Sequence, residues 1–133
     1  MTSAERLLIW FLRGTAVMFL CAAPCVVMPT SWMRTISEWY GLDLPDVPLV
    51  EYLTRSVSAV YATAGASYWF LSCDVRRYLP FLRFSVWVMI AFDITLIVLD
   101  VVIPMPILWT VGEVVAIGVW TLVFWWLVRR VES

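Results

Sequence analysis

The sequence predicts an all-α, polytopic membrane protein: four transmembrane helices in an antiparallel bundle, with a short amphipathic helix in the first outer loop. Of its 133 residues, 63% are apolar and 14% are charged, whereas about 25% of a soluble domain is charged. A domain of this size has too much surface to hide so many apolar side chains from water. The composition therefore excludes an ordinary soluble domain and a disordered chain, and it predicts a single domain over residues 1–133.

Four apolar stretches are each long enough to cross a bilayer, which takes about 20 residues per helix. They lie at residues 7–27, 48–72, 81–103 and 107–128. A proline interrupts the first stretch, so we expect that helix to kink or end near Pro24. The four stretches fill most of the chain and leave no room in it for an extramembrane catalytic domain.

The basic residues predict the orientation of these helices. All 9 of them are Arg. Most lie near the start of the first stretch, in the second loop and its flanks, or after the fourth stretch: Arg6, Arg13, Arg76, Arg77, Arg83, Arg129 and Arg130. Because loops rich in basic residues stay on the cytoplasmic side, we expect both termini and the second loop in the cytoplasm. The predicted location is a bacterial plasma (inner) membrane, crossed several times.

The first outer loop contains a predicted amphipathic helix over residues 31–40. Thr30 and Ser31 are suitable residues to begin it, and Gly41 is suitable to end it. Between them aromatic and aliphatic side chains recur at helical spacing, which is typical of a helix lying in the membrane interface. Two roles remain open for it: an aromatic belt that anchors the bundle, or a lid over an outward-facing pocket.

The residue types argue against several classes of function. The chain has no His, and its 3 Cys form no CxxC pair, so we predict no metal site and no cofactor. The net charge is −1, without a basic patch suited to nucleic acid. Neither a metal-ligand set nor a pair of nucleophile and base is recognisable. The sequence therefore favours a protein that is not an enzyme, without excluding catalysis.

Five charged residues of the predicted spans are out of place in hydrocarbon: Arg13, Arg55, Asp93, Asp100 and Glu113. Arg13 lies near the cytoplasmic end, where its long side chain can reach the interface, so the other four form the candidate cluster. A charge at the centre of a spanning helix costs about 2.5–3.5 kcal/mol on insertion scales, so such residues face the bundle interior and find partners. At about 1.5 Å per residue, Arg55 and Glu113 both lie roughly 10 Å below the outer interface, Asp100 roughly 5 Å and Asp93 roughly 15 Å. Matching depth predicts that Arg55 pairs with Glu113, with Asp100 as the competing partner.

Two interpretations of this cluster remain open. It is either a buried ion-pair network that fixes helix register, or a polar pocket for a ligand head group or a path for protons. Trp120 is a candidate to line such a pocket. Small residues favour close helix packing around Arg55: Ala59, Ala62 and Ala66 share its face, with Ser58 and Gly65 nearby.

Residues 55–65, which contain Arg55, Tyr61 and Gly65, resemble the second helix of DoxX-like proteins, small four-helix bacterial membrane proteins with many uncharacterised branches. The acid-and-proline hairpin at residues 100–106, followed by Glu113, is similar to that family too, and the resemblance extends over about residues 50–128. It implies a four-helix fold, with Tyr61 as a further lining candidate. Some members resemble membrane subunits of quinone-linked oxidoreductase complexes. This chain has no His and no redox motif, so it differs in this respect from subunits that take part in redox chemistry.

Three functions are open from the sequence. The first is binding of a lipid or quinone-like head group at an outer-leaflet polar pocket around Arg55. The second is that of a structural or accessory subunit, packed against other membrane subunits or against copies of itself. The third is that of a small proton-coupled transporter, which would use Asp93 near the middle of the membrane. Membrane lipid is the expected partner in all three.

Overall fold

The structure, a computed structural model, describes residues 2–39, 41, 45, 47–103 and 107–132. These residues form six helices and no strand: α1 Ser3–Leu20, α2 Ala23–Val27, α3 Thr30–Trp39, α4 Pro48–Leu71, α5 Leu79–Val102 and α6 Ile107–Glu132. The predicted all-α fold is therefore confirmed, and each of the four apolar stretches is helical. Tyr40, at the end of the predicted amphipathic helix, and residues 104–106 of the predicted hairpin lie outside the described residues.

Three segments of the described chain are long and apolar enough to cross a membrane: Ser3–Val27, Leu79–Val102 and Thr110–Glu132. These segments indicate a membrane protein. Helix α4 is as long as α5, with 24 residues, but it is not among the three. Glu51, Arg55 and several Ser and Thr residues lower its hydropathy. A fourth crossing therefore stays a prediction.

The first apolar stretch is interrupted, as expected, but the break comes just before the proline. Helix α1 ends at Leu20, residues 21 and 22 form a turn, and α2 follows with Pro24 in its first turn. Proline suits that position because the first N–H groups of a helix have no partner within it, and its fixed φ is already helical. Pro24 thus begins the second helical segment.

Helix α1 begins earlier than the apolar run, because Thr2 and Glu5 form a capping box. The Glu5 N–H donates to Thr2 Oγ1 at 3.2 Å, and the Thr2 N–H donates to Glu5 Oε2 at 2.8 Å. Arg76 forms an ion pair with Glu5, whose side chain is almost fully buried. The Thr-x-x-Glu pattern was present in the sequence, and the capping box extends the helix beyond the hydrophobic signal.

The chain divides into two compact units. The first consists of residues 1–11 and 74–133. Its buried apolar side chains are Leu8, Val75, Leu82, Val86, Phe124, Leu127 and Val128. An aromatic cluster adds to them: the ring centroid of Phe11 lies 5.4 Å from that of Trp120 and 5.9 Å from that of Phe124. Helices α5 and α6 pack against each other in this unit.

In the second unit, residues 12–73, α2 packs against α4, and α1 approaches α4 closely at Gly65. A Cβ at Gly65 would lie 2.8 Å from the Ala16 carbonyl oxygen and 2.9 Å from the Leu20 nitrogen. Carbon atoms normally pack at about 3.5 Å or more, so only glycine fits here. The buried face of α4 includes Ser58, Gly65 and Tyr68, whereas Ala66 is exposed. Ala59 and Ala62 are half-buried, so of the predicted small residues only Ala66 lies outside the packed face.

Candidate functional site

A polar cluster in the second unit is centred on Arg55, near the start of α4. Its Nε and Nη2 donate to Glu51 Oε1, at 3.0 and 2.8 Å. Its Nη1 donates to the Val26 carbonyl at 2.7 Å, and Nη2 also donates to the Met28 carbonyl at 3.0 Å. The guanidinium thus neutralises a carboxylate one turn away and binds backbone oxygens 27 and 29 residues away. Its side chain is 28% exposed, so most of it is shielded from solvent.

Those two carbonyls explain why an arginine is needed at this position. Helix α2 ends at Val27, and the last carbonyls of a helix have no partner within it. A cation at a helix C-terminus satisfies such carbonyls and interacts favourably with the helix dipole. The planar fork of Arg55 serves Glu51 and α2 together, which a lysine ammonium cannot do with the same geometry.

Glu51 links the cluster to helix α3. The Thr30 hydroxyl donates to Glu51 Oε1 at 2.9 Å, and Thr30 is the first residue of α3. One carboxylate oxygen therefore accepts from both Thr30 and Arg55, which joins α2, α3 and α4 within this unit. The spacing of Glu51 and Arg55, with the acid four residues before the base, is the favourable order for a helical ion pair.

A pocket of about 250 Å³ opens beside this cluster, between α3 and the beginning of α4. Its polar walls are Thr30, Arg34, Glu51 and Thr54, and its apolar walls are Met33, Pro45, Val47, Pro48 and Val50. The pocket lining therefore combines a cation, an anion and two hydroxyls with apolar side chains. Such a mixture suits the polar end of an amphipathic molecule.

Sequence reasoning identified Arg55 but missed Glu51, Thr30 and Arg34. The spacing of Glu51, four residues before Arg55, was a readable signal for a helical ion pair. The carbonyls of Val26 and Met28 had no signal, because only the folded chain turns the end of α2 toward α4. Arg34 was expected on an amphipathic helix, without a pocket.

The other predicted site residues lie in the first unit. Asp93 and Asp100 are on α5, and Glu113 is on α6. Asp93 Oδ1 and Asp100 Oδ2 are buried, and neither has a hydrogen-bond partner among the described residues. Arg55 and Glu113 belong to different units, so their predicted pairing, and the competing one with Asp100, stay predictions.

The two aromatic lining candidates have ring neighbours. The Tyr61 ring lies edge-on to Phe19 in the second unit, at 5.3 Å between centroids. Trp120 lies in the first unit beside Phe11 and Phe124, at 5.4 and 5.3 Å. Trp120 therefore contributes to an aromatic cluster, and a role for either ring in lining a site stays a prediction.

Comparison with known proteins gives no assignment: no family model matches the chain, and neither a curated protein nor a solved structure matches it significantly. The resemblance to DoxX-like proteins therefore rests on the short motifs alone and stays a prediction.

Proposed function

We propose that the chain crosses the membrane four times and binds the head group of an amphipathic ligand, a lipid or a quinone-like molecule, in the pocket between α3 and α4. The observation that carries this proposal is the pocket itself. Its lining combines charged and hydroxyl side chains, from Arg34, Glu51, Thr30 and Thr54, with aliphatic ones such as Val50. Amphipathic ligands are recognised by this combination of polar and apolar contacts.

The length of α4 and its hydrogen bonding support it as the fourth span. At about 1.5 Å per residue, its 24 residues extend about 36 Å, more than the roughly 30 Å of a bilayer core. The hydroxyls of Thr54, Thr63 and Ser67 donate to carbonyls four residues back, at 2.9, 2.8 and 2.9 Å. Hydroxyls satisfied within their own helix tolerate lipid, where no water can serve them.

The exposed apolar side chains of α3 support an interfacial position for this helix. Trp32 and Trp39 are 63% and 82% exposed, and Ile36 is also exposed. By contrast Ser37 is buried and donates its hydroxyl to the Arg34 carbonyl at 2.8 Å. Exposed tryptophans are stable at the boundary of lipid and water, where their rings are half apolar and half polar. Helix α3 would then cover the pocket from the outer side.

The size of the pocket favours a head group over a whole amphiphile. Sites for drug-sized ligands have volumes of about 300–1,000 Å³, and this pocket is smaller. The ligand's apolar tail would run along the same face of α4, where Val57 and Tyr61 follow Val50 and Thr54 at helical spacing. Both side chains are about half exposed. This gives Tyr61 its role as a lining residue.

The proposed setting is a bacterial plasma membrane with both termini in the cytoplasm. The arginines near the ends of the helices support this orientation, since basic residues favour the cytoplasmic side. The pocket would then open toward the outer leaflet.

The test is ligand retention by a variant whose pocket is filled. Val50→Trp places a ring in the pocket without removing any partner of Arg55, and Val60→Trp adds the same ring on an exposed part of α4. Each protein is purified in mild detergent and titrated with phosphatidylglycerol and with a short-chain quinone, and binding is read by native mass spectrometry. We expect Val50→Trp to lose the quinone and one equivalent of phosphatidylglycerol, and Val60→Trp to keep both. Equal binding by both variants, or none by the unsubstituted protein, would overturn the proposal.

A second candidate, an accessory subunit of a larger membrane complex, is favoured by the carboxylates of α5. Asp93 Oδ1 and Asp100 Oδ2 have no partner within the described chain, and an unsatisfied buried polar group is costly. A donor from another subunit, or from a second copy of this chain, would satisfy them. Stoichiometric co-purification of another subunit or a second copy from membranes would support this candidate if the double variant Asp93→Ala, Asp100→Ala loses it. An unchanged monomer in both proteins would argue against it.

A further inference from the structure

A second pocket, of about 240 Å³, lies in the first unit between the beginning of α5 and the end of α6. Two arginines, Arg83 and Arg129, line it together with Glu132. Valine side chains that are almost fully buried, Val86 and Val128, form its floor. The pocket thus combines an excess of positive charge with an apolar base, at the ends of two segments that are long and apolar enough to cross a membrane.

Arg129 is held in place by an aromatic ring. Its guanidinium carbon lies 4.7 Å from the centroid of Trp125, a cation–π distance. A guanidinium stacked in this way keeps its N–H groups at its edge, where they can donate to the oxygens of an anion. The stacking also restricts its rotamers, so less side-chain entropy is lost when an anion binds.

Arg83 is partly neutralised by Glu132. Its Nε donates to Glu132 Oε1 at 2.6 Å, and its Nη2 forms an ion pair with the same oxygen. Arg83 remains 64% exposed, so this pair is open to exchange with another anion. Two guanidinium groups and one carboxylate give the pocket a formal charge of +1, which matches a group carrying one negative charge.

The apolar walls point to the rest of the ligand. Trp87 and Trp125 line the pocket and are 65% and 40% exposed. Tryptophan rings favour the membrane interface, and basic pockets between membrane helices bind anionic head groups. A free inorganic anion would gain nothing from these rings.

We propose that this pocket binds the phosphodiester of an anionic phospholipid, with Arg129 and Arg83 as donors to the phosphate oxygens and Trp87 beside the glycerol backbone. Glu132 acts against binding, because its carboxylate occupies Arg83 and repels the phosphate. The site is separate from the pocket between α3 and α4 and does not depend on it.

The chain offers a matched control for Arg129. Arg130 is the next residue, carries the same charge, and stacks on Trp126 with its guanidinium carbon 4.2 Å from the ring centroid. It does not line the pocket. A general attraction of basic residues to an anionic surface would involve Arg129 and Arg130 equally, whereas a pocket involves only Arg129.

The experiment is a titration of the full chain in uncharged detergent, read by native mass spectrometry. The probes are phosphatidylglycerol, phosphatidylcholine and water-soluble glycerol phosphate. One basic contact near a membrane surface changes lipid affinity about fivefold, so we expect Arg129→Gln to weaken phosphatidylglycerol binding about fivefold. Arg130→Gln should change it by less than about twofold, because Arg130 does not line the pocket and an exposed charge contributes little in uncharged detergent. Glu132→Gln should strengthen it, a gain that misfolding cannot produce.

Several outcomes would overturn the proposal. Equal losses in Arg129→Gln and Arg130→Gln would mean a diffuse basic surface in place of a pocket. Phosphatidylcholine binding as tightly as phosphatidylglycerol would mean that the negative charge is not recognised. Glycerol phosphate that displaces the lipid completely at similar concentration would mean a site for a soluble phosphate. Weaker binding by Glu132→Gln would mean that Glu132 supports the ligand.

Discussion

The close approach of α1 and α4 at Gly65 gives the sharpest expectation for stability. In Gly65→Ala, the new Cβ would lie 2.8 Å from the Ala16 carbonyl oxygen and 2.9 Å from the Leu20 nitrogen. Both are backbone atoms, so no side chain can rotate away, and the helices must separate by about 0.7 Å to reach normal contact. Overpacking of this kind costs about 1–3 kcal/mol, and rigid neighbours place it near the upper end.

The alanine also brings a gain, which must be subtracted. Alanine in a helix is about 1 kcal/mol more favourable than glycine. The net loss in the free energy of unfolding is therefore about 2 kcal/mol for Gly65→Ala. The matched control is Gly14→Ala in α1, where a Cβ would meet no other atom within 4 Å. This variant has the propensity gain alone, so its stability should equal or exceed that of the unsubstituted protein.

The assay is reversible unfolding of the purified protein with an ionic detergent, followed by circular dichroism. We expect Gly65→Ala to unfold at a clearly lower denaturant fraction than Gly14→Ala. A Gly65→Ala protein at least as stable as Gly14→Ala would show that the two helices do not approach as closely as the structure has them. The packing argument for the second unit would then fail.

Three further predictions use the same unfolding assay. Arg55→Ala should lower the free energy of unfolding by about 2–4 kcal/mol, because removing the mostly shielded guanidinium leaves two carbonyls without donors. The control Arg77→Ala, at an exposed position, should change it by no more than about 0.5 kcal/mol. Equal losses in the two variants would contradict the role of Arg55. Thr63→Val should leave the free energy of unfolding nearly unchanged, because the Thr63 hydroxyl donates to a carbonyl of its own helix. A loss as large as that of Arg55→Ala would mean that Thr63 faces a polar partner elsewhere. The predicted pairing of Arg55 with Glu113 requires coupled losses in a double-mutant cycle, and additive losses would rule it out.

Hydrophobicity alone predicted much of the fold. The beginning of α4 and that of α6 agree with the apolar stretches, because a long apolar run has few alternatives to a helix in lipid. The start of α1 was missed, because polar capping by Thr2 and Glu5 extends it beyond the apolar run. Such ends are determined by hydrogen bonds between a few polar atoms, to which hydropathy is insensitive.

The site was harder to predict than the fold. Depth along the helices identified Arg55 as a buried cation in need of partners, but depth does not distinguish an acid on another helix from one on the same helix. Glu51 lies one turn away on the same helix, whereas matching depth favoured Glu113 on another. The carbonyls of Val26 and Met28 depend on the break between α1 and α2, which turns a helix end toward α4 only in three dimensions.

The side of the membrane on which Cys73 lies tests the four-span account most directly. This exposed thiol lies between α4 and α5, and replacing Cys21 and Cys25 by Ser leaves it as the chain's only cysteine. If α4 crosses the membrane, Cys73 is cytoplasmic, and an impermeant thiol reagent should label it only after the cells are lysed. A Glu38→Cys variant without the native cysteines, placed on α3, should be labelled in intact cells and serves as the positive control. Labelling of both Cys73 and the Glu38→Cys thiol from outside intact cells would mean that α4 does not cross and would contradict the account.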